Sequence, residues 1–166
     1  MKRIAIKFFA ITALCSMVFC FGYIKNSHQA LAAQGTVNTR DTVETVGNVF
    51  TVKVPAGWRV QEKNNERIVL RPKQGGLVFV TAKSNPGLDL DKAANLVLKN
   101  HKRPQNLAKM NAPNGVCAAF GDTYDNGEIW AFFVYYFNPY IIKVGMIDVS
   151  DKKVNEVIAS VRPARK

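Results

Sequence analysis

Histidine and cysteine are scarce in this chain. It has two histidines and three cysteines, and His28, Cys15 and Cys20 all precede residue 33. If a leading segment of 32 residues is removed, His101 and Cys117 remain alone. A lone cysteine excludes an intramolecular disulfide, and a lone histidine excludes a zinc site built on clustered histidines. Cys117, with no basic or histidine neighbour in sequence, reads as a small buried hydrophobe rather than a reactive thiol. His101 lies in KNHKRP without a nucleophile motif such as G-x-S-x-G. Acidic residues are also few, 12 against 23 lysines and arginines. Most fall at turns and helix starts, where turn chemistry and the helix dipole account for them. Asp122, Asp125 and Glu128 fail the spacing of a calcium loop and read as a hairpin turn. Gly75-Gly76 runs into a strand rather than a helix, unlike a phosphate loop. These absences leave no catalytic residue, no metal ligand set and no cofactor, and the chain is expected not to be an enzyme.

Long apolar runs are confined to two places. The first is residues 8–24, preceded by Lys2, Arg3 and Lys7 and followed by the small-x-small site Ala30-Leu31-Ala32. That pattern is a signal peptide over 1–32. An uncleaved anchor is the alternative, at the lower length limit for a spanning helix, and Phe19 ahead of Cys20 does not suit lipoprotein processing. The mature protein is thus expected to be exported, to the periplasm or outside the cell, since one signal serves both. It forms one domain by length. Without the signal the chain keeps 19 basic and 12 acidic residues, net +7. This balance suits an acidic partner or peripheral contact with an anionic membrane; export argues against nucleic acid.

Residues 33–45 are small and polar and read as a flexible leader. Short strand-like runs follow, separated by turn residues at intervals of about ten. Phe50, Val52 and Val54 alternate with polar residues, Pro55-Ala56-Gly57 turns, and further strands are predicted around Trp58–Val60, Ile68–Leu70 and Leu77–Ala82. Asp89 or Asp91 caps a helix reaching about His101, with Leu90, Ala94, Val97 and His101 on one stripe and Lys99, Lys102 and Arg103 in its last turn. Strands at roughly 106–111, 115–123, 128–137 and 140–149 come next, Asn126-Gly127 and Asn138-Pro139 marking turns. Ser150 caps a closing helix carrying Val154, Val157, Ile158 and Val161, which Pro163 ends. Strands segregated around two helices define α+β.

The second apolar run is Ile129–Phe137. It is too short for a spanning helix, and it lacks the alternation of a membrane barrel strand. At period two, Ile129, Ala131, Phe133, Tyr135 and Phe137 share one face and Trp130, Phe132, Val134 and Tyr136 the other. A strand apolar on both faces must be covered on both. Two helices could do this, one on each side; a helix on one side and a bound partner on the other is the alternative.

FTVKVPAGW (residues 50–58) resembles the opening strand and turn of Mog1/PsbP-like domains, a family that includes photosystem II PsbP-type subunits and small envelope proteins related to DcrB. The order of elements, ending in the helix VNEVIASV, is similar across 46–163, leaving 164–166 as a basic tail. The resemblance implies a central antiparallel sheet with helices packed on its faces, and a non-catalytic binding or assembly factor. The expected function is therefore protein–protein contact in the cell envelope. The alternative is a carrier or sensor of a lipid or other hydrophobic ligand. The candidate binding residues are Trp130, Phe132 and Tyr136 on the aromatic face and Lys99, Lys102 and Arg103 in the basic group.

Overall fold

The computed structural model describes residues 37–165. The signal peptide expected over 1–32 lies outside them, as do residues 33–36 of the leader and Lys166. The strands are β1 (Thr42–Val46), β2 (Phe50–Val54), β3 (Arg59–Lys63), β4 (Arg67–Arg71) and β5 (Leu77–Ser84), then β6 (Pro104–Ala112), β7 (Gly115–Thr123), β8 (Ile129–Phe137), β9 (Tyr140–Ile147) and β10 (Arg162–Pro163). Helix α1 (Leu90–Leu98) separates β5 from β6, and α2 (Val154–Ser160) precedes β10. The protein is α+β, mostly sheet with two helices.

Two antiparallel meanders build the larger sheet, in the order β3-β4-β5-β9-β8-β7-β6. The chain leaves β5, passes through α1 to the far edge at β6, and returns strand by strand until β9 pairs with β5 over their whole length. The apolar run forms β8, flanked by β7 and β9. Its two faces enter different cores, as period two requires. Tyr135, with Phe133 and Phe137 packed around it, joins Ile68, Leu70, Val78, Val80, Ile142 and Val144 in one. Phe132 and Val134 join Ala118, Phe120 and Ile141 in the other, beneath Ala93 and Ala94 of α1.

A lone helix does not cover the first core. The small sheet β1-β2-β10 supplies Val46, Phe50, Val52 and Val54 to it, and α2 supplies Val154, Val157 and Ile158. Residues 42–45, expected within the leader, thus form the strand β1 together with Val46, and Val37 bridges Arg59. The closing helix ends at Ser160, and Arg162–Pro163 pairs with β2. Ser150 does not cap α2: the N-cap position is Lys153, and Asp151 accepts from the Lys153 N–H at 3.0 Å. The other Asp151 oxygen accepts from Trp58 Nε1 at 2.8 Å. Trp58, 1% exposed, therefore anchors the approach to α2, which gives the Pro-x-Gly-Trp stretch a structural task.

Helix α1 starts where the sequence places it, with Asp89 accepting from Lys92 N–H at 2.8 Å. It ends at Leu98, so Lys99 is its C-cap and Lys102 and Arg103 lie beyond it, not in its last turn. Pro104 opens β6. Among the described residues no helix is long and apolar enough to cross a membrane.

Candidate binding face

The α1 side of the larger sheet divides into a covered and an open half. α1 packs on β7 and β8, and its buried alanines let it sit close over Phe132, which is 1% exposed. The other helix, α2, packs on β2 instead. Strands β4, β5 and β9 turn Arg67, Phe79, Thr81 and Lys143 toward it, because their neighbours Ile68, Val78, Val80, Ile142 and Val144 fill the opposite core. Register sets Thr81 directly between Arg67 and Lys143.

Aromatic rings join the halves. Phe79 lies 5.7 Å from Trp130 and 6.3 Å from Phe132, and Trp130 stacks beside Phe132 at 6.2 Å. Exposed Tyr124 adds a ring 6.1 Å from Trp130. Gly145 makes this possible: a Cβ there would strike the Phe79 and Phe132 rings. Lys143 Nζ stands 5.5 Å from the centroids of both rings, and the Arg67 guanidinium 5.8 Å from that of Phe79. Burial, then the nearby positive charge of Arg67, holds the Lys143 ammonium below the usual lysine range. Arg67 reaches Glu62 at 3.8 Å, whereas Lys143 makes no ion pair among the described residues.

The six residues expected from sequence do not form one group. Trp130 and Phe132 lie near the β7–β8 turn, with Phe132 in the core and Trp130 half-buried at its margin. Tyr136 is at the other end of β8, where its hydroxyl donates to Asn85 O at 3.2 Å and accepts from Leu88 N–H at 3.1 Å. Lys102 and Arg103 reach the Trp130 end through Asp125, at 2.9 and 3.4 Å. Lys99 stays exposed at the end of α1.

Sequence inspection missed a buried pair behind this face. His101 Nδ1 lies 2.8 Å from Asp122 Oδ2, both side chains 4% exposed, and Asp122 Oδ1 accepts from Arg103 N–H at 3.0 Å. The imidazole packs edge-on to Phe120 and Phe132 at 4.9 and 4.4 Å. The pair pins the segment after α1 to β7 and closes the end of the second core. Cys117 is buried, and burial raises its thiol pKa. Among the described residues no three His, Cys, Asp or Glu side chains gather to hold a metal.

The class defined by this arrangement is the PsbP/Mog1-like fold. Its likeness to particular proteins is structural: no family model matches the chain, and no curated protein does. It is similar to cyanobacterial PsbP (CyanoP) from Synechocystis sp. PCC 6803, with TM-score 0.51 and 12% identity over 81% of this chain and 98% of that one. It is also similar to a protein of known crystal structure from Bacteroides thetaiotaomicron VPI-5482, with TM-score 0.55 and 17% identity over 79% of this chain. The chain spans about half the length of the Bacteroides protein, covering 50% of it. At these identities the likeness is one of fold alone.

Proposed function

We propose that this is an exported, non-catalytic accessory protein that binds an acidic segment of a protein partner in the cell envelope. Contact runs across the open half of the α1-side sheet face, over Arg67, Phe79, Thr81, Lys143 and the exposed margin of Trp130. The observation that carries this is Lys143, a half-buried cation set against two rings without a counter-charge among the described residues. A desolvated charge lacking a partner disfavours the free fold, and a carboxylate arriving from another chain would remove that cost while aromatic surface supplies contact area. Export is supported by the n-region, apolar run and A-x-A site of residues 1–32. The accessory role is what the family resemblance implies. Phe132 serves this surface from beneath, as the ring on which Lys143 rests.

A photo-crosslinking residue placed at Thr81 in cells should yield a discrete adduct that is absent when it is placed at Val43, exposed on the small sheet. Lys143→Met in the Thr81 background should abolish the adduct. Equal labelling from both positions, or an adduct indifferent to Lys143, would remove the basis for this assignment.

A further inference from the structure

At the far end of β4 the sheet carries a second cationic feature. Arg59 and Arg71 are direct partners across β3 and β4, with both side chains on the α1 side because Val60 and Leu70 turn into the opposite core. Like charges directly opposite on neighbouring strands destabilise a sheet, and here neither is neutralised. Among the described residues Arg59, Arg71 and Lys73 make no ion pair with a carboxylate. All three line one cleft of about 670 Å³, which has no acidic residue in its wall. The Arg71 Nε donates to Gln61 Oε1 at 2.8 Å, which fixes the guanidinium plane and leaves its two terminal nitrogens for a ligand. Val37 and Pro72 give the cleft apolar wall, and Thr39 gives it a hydroxyl.

We infer that this cleft binds the phosphate group of a small phosphomonoester. Two planar guanidinium groups recognise tetrahedral oxyanions through paired N–H···O bonds, which a single ammonium cannot do. Three cations in one cleft match a phosphomonoester dianion better than a singly charged carboxylate. The cleft volume falls in the range of small-molecule sites, about 300–1,000 Å³, so the phosphate can carry an organic group against Val37 and Pro72. A bound dianion also relieves the Arg59–Arg71 repulsion, so ligand and fold stabilise one another. The site is four residues along β4 from Arg67 and does not include Lys143, so its failure leaves the proposed function standing.

Calorimetric titration of the full chain with glycerol 3-phosphate and with inorganic phosphate tests the site, with acetate and chloride at matched ionic strength as controls. Vesicles of phosphatidylcholine with and without phosphatidate distinguish a lipid headgroup from a soluble source of the same chemistry. Saturable one-site binding is expected from at least one phosphomonoester probe, with acetate weaker. Arg71→Gln and Arg59→Gln should each weaken it by about tenfold or more, the scale of a lost charge-assisted bond, while leaving the unliganded fold equally or more stable. Lys73→Gln, at an exposed position, gives a second reading free of any folding effect and should weaken binding severalfold. Binding to none of the phosphate probes, binding no tighter than acetate, or wild-type affinity in all three variants would overturn the assignment.

Discussion

Lys143→Met should yield a protein that is more stable and a poorer binder. The ammonium stands 5.5 Å from two ring centroids, half-buried and paired with no carboxylate among the described residues. Full burial of an unpaired ion costs several kcal/mol, but Lys143 keeps part of its contact with water, which screens much of that cost. Cation–π attraction offsets about 0.5–1 kcal/mol more. The direction of the balance is set by the lowered pKa, which says that the fold disfavours the protonated form. Methionine keeps an unbranched chain of similar length against the rings and removes the charge. A gain of about 0.5–1 kcal/mol at neutral pH follows, within the usual range for relief of a functional-site penalty. The sign of the pH dependence is fixed by the same shift. The folded-state pKa lies below the ordinary 10.5, so the native state releases its proton first and the wild type gains stability as pH rises through that window. The gap between the two chains should be full at neutral pH and close as pH approaches 10.5. Urea unfolding followed by tryptophan fluorescence, at pH 7 and near the alkaline end of the window, measures it. A Lys143→Met protein less stable than wild type at neutral pH, or a gap indifferent to pH, would refute the reasoning.

Asp122→Ala should cost about 2–4 kcal/mol, because it leaves the buried His101 ring and the part-buried Arg103 N–H without their acceptor. Asp122→Asn keeps one acceptor and should cost less, the ranking being read from denaturant midpoints. Gly145→Ala should lose about 1–3 kcal/mol through overpacking against Phe79 and Phe132, with a changed near-ultraviolet aromatic signal. Trp58→Phe keeps most of the buried ring but strips Asp151 of its 2.8 Å partner, for a loss of about 1.5–3 kcal/mol in thermal or urea unfolding.

Much of the fold was legible because the strands between Phe50 and Ile147 carry their own punctuation. Alternation fixed β2 and β4, Asn126-Gly127 and Asn138-Pro139 fixed the arms around β8, and Asp89 fixed the start of α1. β1 was missed for a physical reason: of its five residues only Val46 is fully buried, and Val43 is 69% exposed, so no apolar face shows in TVETV. β10 is two residues held by pairing with β2, which no local pattern encodes. The second layer of the first core was expected to be a helix because the small sheet that shares it depends on those two strands. The site was less legible. His101 and Asp122 are 21 residues apart, and each has an ordinary local explanation. Arg59 and Arg71 become neighbours only once the β3–β4 register is known. Lys143 did leave a trace: it is the lone charge in YIIKVGMI, on a strand apolar on both faces, where a cation must be either compensated or used.

The most direct measurement is a side-chain NMR titration of Lys143, alone and with a glutamate-rich peptide as a stand-in for the acidic partner segment. Alone, Lys143 should titrate below the ordinary lysine value. With the peptide bound, the Lys143 value should rise, because a carboxylate now favours the charged form. A Lys143 that titrates at the ordinary lysine value in the free protein, or that does not respond to the peptide, would contradict the assignment of this face as the binding surface.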